Sequence, residues 1–187
     1  NNMSAPLLAM SFGGVLFAII SAIAFATVLG TVAGLIVAAS GAVAHDLMDR
    51  FGGMNLTEQQ KVRAGKIAAF AVGIVAIVLG IVFRGVNVSF LVGWAFAVAA
   101  SANLPAILML LFWKKTTAAG IVASIIVGIV AALGIILTGP AMFAGPYGMR
   151  AEDALHPLGQ PGIISIPLSF LTLVVVSLIT QKKEATA

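Results

Sequence analysis

From Leu7 to Ala44 the chain reads LLAMSFGGVLFAIISAIAFATVLGTVAGLIVAASGAVA, 38 residues without one charged side chain. A helix crosses a hydrocarbon core with about 20 apolar residues at about 1.5 Å of rise each. The run is therefore too long for one upright span and too short for two spans with a turn between them. Gly13-Gly14 is the natural break. It leaves Leu7 to Phe12 as an interfacial lead-in and Gly14 to Ala44 as one long or tilted span, ended by His45-Asp46.

The remainder of the chain continues this alternation. Of its 187 residues, 61% are hydrophobic and only 9% charged, which excludes an ordinary soluble surface. The charges gather in short segments, and four further spans are expected at Lys66 to Phe83, Phe90 to Trp113, Ala118 to Thr138 and Ile163 to Thr180. The expected fold class is all-α: an integral membrane protein whose five transmembrane helices form a single domain over residues 1–187. Thr57 to Gln60 reads T-x-x-Q, a capping box from which a helix runs on into the second span. Pro140, Pro146, Pro157 and Pro161 argue against a sixth span between Gly139 and Gly162. In that segment His156 is expected to be alone and solvated, and Glu152 and Asp153 to be surface charge.

Five spans put the termini on opposite sides. One side then holds Arg50, Lys61, Arg63, Lys66, Lys114, Lys115, Lys182 and Lys183, the other only Arg84 and Arg150. By the positive-inside rule the N-terminus lies outside and the C-terminus in the cytoplasm. A basic stripe beside anionic headgroups accounts for the net charge of +4 without a nucleic-acid partner. The opening NNMSAPLLAM has neither a basic n-region nor a cleavage-type site, so the first apolar run is not a signal peptide. An outside N-terminus without a signal is expected if earlier spans precede Asn1.

The chain has no cysteine, which excludes disulfides, thiolate metal sites and cysteine nucleophiles. No transition-metal site and no organic cofactor is expected. No nucleophile, metal cluster or carboxylate pair lies within a span, so an enzyme is not expected, and His45-Asp46 reads as helix-end capping.

Within the first span, Ala24, Thr27, Gly30, Thr31, Gly34 and Ala38 fall on one helix face, within roughly 60° of Thr27. Two readings are open. Gly30 and Gly34 can form a G-x-x-x-G contact while each threonine hydroxyl bonds back to a carbonyl one turn earlier. Alternatively, the hydroxyls supply oxygen ligands to a hard cation such as Na⁺, together with carbonyls of a broken neighbouring helix. In the third span, Ser101, Asn103 and Pro105 interrupt an apolar helix. Asn103 either bonds a neighbouring helix or lines a substrate route, and Pro105 kinks the span.

The run FAIISAIAFATVLGTVAGLIVAASGAVAHDL, a charged loop, and then FLVGWAFAVAASANLPAILMLLFWKKTTAAG together resemble the C-terminal half of the sodium/solute symporter family, within it most closely the bacterial cation/acetate symporter branch. The resemblance implies that the five spans are the eighth to tenth core helices of a leucine-transporter-type inverted-repeat fold plus two peripheral helices, with the preceding helices missing. It implies a cation site of one small residue followed by a hydroxyl pair three and four positions later, which falls here on Thr27, Gly30 and Thr31. Gly30 stands where the family has a serine, removing one side-chain ligand. Sugar carriers of the family face their substrate with a residue about eight positions before the proline, here Ala97. Ala97, Ser101 and Asn103 are thus the candidate substrate pathway. The implied activity is alternating-access symport of a short monocarboxylate such as acetate with Na⁺ (H⁺ being possible) across a bacterial plasma (inner) membrane. The partners would be a small carboxylate and the lipid bilayer. The alternatives are a proton-coupled or amino-acid-carrying relative and a non-transporting anchor or sensor module.

Overall fold

A computed structural model describes residues 2–51 and 57–184, and every regular element among them is helical. Among the described residues five helices are long and apolar enough to cross a membrane: Gly14–Ala44, Glu58–Val82, Val88–Phe112, Ala118–Leu137 and Gly162–Gln181. They are the five expected spans, the first with the expected ends and the other four with shifted ones. The chain divides into two compact units, Asn1–Val82 and Phe83–Ala187.

In the first unit α1 (Ser4–Ser11) packs on α2 (Gly14–Gly41). They are separated at Gly13, whose φ of 127° is open to glycine and strained for any L side chain. The expected lead-in is thus a helix of its own. At its other end α2 continues as π-helical turns over Ala42–Phe51 rather than stopping at His45-Asp46. The physical reason is that charge ends an apolar run without breaking a helical backbone; the next breakers in the sequence, Gly52-Gly53, lie outside the described residues. The helix α3 (Glu58–Val82) starts at the capping box: the Thr57 N–H donates to Gln60 Oε1 (2.8 Å) and the Gln60 N–H to Thr57 Oγ1 (3.4 Å). Ala44 and Ala68 are buried where α3 packs against this end of α2.

The second unit is a three-helix layer. The helices α5 (Ala118–Leu137) and α7 (Gly162–Glu184) lie side by side along their length, and α4 (Val88–Phe112) packs against both. Asn87 caps α4 by accepting the Ser89 N–H (2.9 Å), and Thr117 caps α5 by accepting the Gly120 N–H (3.2 Å). In lipid there is little hydrophobic drive between helices, so close packing of small residues and interhelical hydrogen bonds must hold them together. The sequence supplies both at a spacing of four: Gly120, Ser124, Gly128, Ala132 and Ile136 are buried on α5, and Ser165, Ser169, Leu173 and Ser177 on α7. A Cβ at Gly120 would collide with Ser177 Oγ, and one at Gly128 with the Ser101 carbonyl of α4. That carbonyl receives no N–H from the residue four positions on, which is Pro105.

Between α5 and α7 runs a segment with only short helical pieces: α6 (Pro140–Ala144) and a 3₁₀ turn at Ala151–Asp153. It contains no sixth span. The segment closes one end of the unit, where Trp94 donates its indole N–H to Gly159 O (3.1 Å) and meets the Phe83 ring edge-on. Val86, Ile136 and Met142 are buried with it.

Candidate cation-binding face and the buried serine seam

Between Gly14 and Gly41 the sequence has no proline and no charge, so α2 is an unbroken helix long enough to cross a bilayer core. Its two threonines fit there because each hydroxyl finds an acceptor on its own helix. Thr27 Oγ1 donates to Ile23 O (2.8 Å) and Thr31 Oγ1 to Thr27 O (3.0 Å). The back-bonding expected from the sequence is therefore present.

The chemical consequence lies in what remains. A hydroxyl has one hydrogen and two acceptor lone pairs. With its hydrogen committed to the helix, each exposed threonine oxygen presents acceptor character alone. Ala24, Thr27, Gly30, Thr31, Gly34 and Ala38 are all exposed, and a Cβ added at Gly30 or Gly34 would meet nothing within 4 Å. The face is thus an open strip, one turn of which carries two acceptor oxygens beside a position without a side chain. A hard cation takes oxygen ligands. Two hydroxyls are fewer than it needs, so any further ligands must come from backbone carbonyls or another segment.

The three candidate pathway residues lie on α4 and divide. Ala97 and Ser101 are buried toward the start of α7, in a line of contacts from Ala97 O to Ser101 Oγ (2.6 Å), on to Ser165 Oγ (2.7 Å) and from there to Pro161 O (2.9 Å). Two hydroxyl hydrogens serve three contacts, so the serine pair can satisfy either carbonyl at a given moment. Asn103 stands on another face, exposed, and donates to Ala99 O of its own helix (2.9 Å) rather than to a neighbouring helix.

The residues that sequence reasoning passed over are the partners in the seam: Ser124, Ser165, Ser169 and Ser177. Ser169 Oγ donates to Ser124 O (2.9 Å), Ser177 Oγ accepts the Thr117 N–H (3.2 Å), and Thr117 and Thr180 share a hydroxyl contact of 2.7 Å. The signal that finds them is the four-residue spacing of small side chains, the same one that marks Gly30 and Gly34.

His156 departs from its expected isolation. It is half-buried, its Nδ1 accepts the Leu158 N–H (3.2 Å), and its Nε2 lies 3.0 Å from both Ile135 O and Thr138 Oγ1. An accepting Nδ1 puts the ring hydrogen on Nε2, where it donates to the last turn of α5. The histidine is a clasp between that helix end and the segment that crosses it. Glu152 and Asp153 are exposed as expected, and Asp153 pairs with Arg150 at 3.5 Å.

Residues 1–128 match the sodium:solute symporter family. A protein named monocarboxylic acid transporter from Corynebacterium glutamicum is 49% identical over 175 residues, covering 91% of this chain and 32% of that protein. A protein named uncharacterized symporter YwcA from Bacillus subtilis (strain 168) is 45% identical over 173 residues, covering 91% of this chain and 34% of that protein. The chain thus spans about a third of the length of the curated relatives it matches. No solved structure matches it.

Proposed function

Because this chain belongs to the sodium:solute symporter family, a family of transporters and not of enzymes, we propose that the protein of which it forms part couples inward Na⁺ movement to uptake of a short monocarboxylate, with acetate the first candidate. The observation that carries the cation half of this reading is the open α2 strip, with both threonine hydrogens spent on the helix and both oxygens exposed. The name of the 49%-identical relative supports a monocarboxylate as cargo.

The proposed fold is a leucine-transporter-type inverted repeat, to which this chain contributes the later helices. The cation would lie against Thr27, Gly30 and Thr31, with its remaining ligands supplied by carbonyls of a helix outside this chain. Occupancy would favour an outward-open state and so raise the affinity for solute before the site turns inward. One charge moving down the membrane potential contributes about 2.3 kcal/mol per 100 mV, enough for modest accumulation. Asn103, exposed on α4, is proposed to border the solute route, with Ala97 and Ser101 buried behind it against α7. The proposed orientation follows the lysine and arginine distribution, with the N-terminus of the chain outside and the C-terminus in the cytoplasm of a bacterium.

The test is uptake of labelled acetate into proteoliposomes holding the full-length protein, with and without an inward Na⁺ gradient. Stimulation by Na⁺ is expected. Uptake that follows a proton gradient and ignores Na⁺ would replace the coupling ion, and absence of uptake under both gradients would remove acetate as cargo.

A further inference from the structure

The α4–α5 turn and the last turns of α7 bring cationic and apolar groups together at one end of the second unit. Their juxtaposition is fixed by hydrogen bonds. Gln181 Nε2 donates to Lys115 O (2.6 Å), Thr117 and Thr180 share their 2.7 Å hydroxyl contact, and Ser177 Oγ accepts the Thr117 N–H. Thr116 Oγ1 lies 2.8 Å from Trp113 O and 2.9 Å from Met109 O, closing the end of α4. The lysine-bearing turn is thereby held against the last turns of α7.

Lys114 and Lys115 are exposed, and the ion pairs among the described residues are Lys61–Glu58 and Arg150–Asp153, neither of which engages them. Exposed apolar side chains precede the lysines along α4, Leu111 and Phe112, and precede the Gln181 that bonds Lys115 O along α7, Leu178 and Ile179. Cations adjoining an apolar collar, at the end of helices that are long enough to span, fit a ligand that is anionic at one end and hydrocarbon at the other. A soluble anion has no use for the collar. We propose that this end of the α4–α5–α7 layer binds an anionic phospholipid, its phosphate against Lys114 and Lys115 and its acyl chains along Leu111, Phe112 and Ile179. The inference requires these helices to lie in a membrane and is independent of which solute or ion is carried.

The experiment is native mass spectrometry of the full-length protein in detergent with equal amounts of phosphatidylglycerol and phosphatidylcholine. The wild type is expected to retain phosphatidylglycerol preferentially. The double variant K114Q/K115Q should lower that preference by about thirtyfold, as for about 1 kcal/mol per surface lysine, while K114R/K115R keeps it. R63Q/K66Q, which removes equal charge elsewhere, should also keep it. In the wild type alone the preference should fall as salt is raised toward about 1 M, where screening reaches within about 3 Å of a charge. No preference in the wild type, an undiminished preference in K114Q/K115Q, an equal loss in R63Q/K66Q, or indifference to salt would each overturn the proposal.

Discussion

The α2 strip and the α5–α7 seam are built from the same kind of sequence, small residues four apart, yet only the seam is filled. At Gly120 and Gly128 there is no room for a methyl group; at Gly30 and Gly34 a methyl would touch nothing. The hydroxyls differ in the same sense. Along the seam, Ser169 reaches across to Ser124 O and Ser101 meets Ser165, whereas Thr27 and Thr31 bond back within their own helix and keep their oxygens outward. Ser101 and Ser165 also bond back one turn, to Ala97 O and Pro161 O, so what separates the two surfaces is the second, interhelical contact that the seam hydroxyls make and the α2 threonines do not.

The contrast breaks most visibly at the glycines. Replacing Gly128 with leucine drives a side chain into the Ser101 carbonyl of α4, a backbone group that cannot swing away. The loss is expected to exceed about 3 kcal/mol and to appear as a collapse of the monodisperse folded fraction in detergent. The matching Gly30→Leu variant should separate stability from function. The melting temperature of this 187-residue chain should hold or rise slightly, since leucine is favoured over glycine in a helix by roughly 0.8 kcal/mol, while uptake by the full-length protein falls to background. Retained uptake would show that nothing needs to come close to the strip.

A finer probe is the serine pair. Ser101→Ala and Ser165→Ala should each cost about 1 kcal/mol in detergent unfolding, with a coupling near 0.6 kcal/mol in the double-mutant cycle. Zero coupling would mean that their 2.7 Å contact contributes only packing. The smallest expected effect is Thr27→Val, within about 0.5 kcal/mol in the same assay, because the hydroxyl it removes is bonded only to its own helix.

The spans were legible because membrane-crossing helices are written in run length and charge, and both survive any uncertainty about partners. The Gly13 break and the Thr57–Gln60 cap were legible for a similar reason, each being a local device complete within four residues. The reach of the helix past His45-Asp46 was not, since a charge marks the edge of a solvent and says nothing about backbone continuity. The seam escaped because Ser165 and Ser177 look like ordinary small residues until α5 is placed beside them. His156 escaped because its partners, Ile135 and Thr138, lie about twenty positions away and offer a carbonyl and a hydroxyl rather than a charge. The candidate cation face stands out in the sequence as a pattern, but the commitment of both threonine hydrogens and the exposure of both oxygens depend on the folded helix.

The central claim is that those oxygens face a cation. Its most direct test is the Na⁺ concentration giving half-maximal acetate uptake in proteoliposomes of the full-length protein, compared between wild type and Thr31→Ala. Loss of a ligand predicts a rise of about tenfold, corresponding to about 1.4 kcal/mol, with the maximal rate at saturating Na⁺ largely preserved. An unchanged half-saturating concentration would contradict the claim and leave Thr31 as a helix-packing residue.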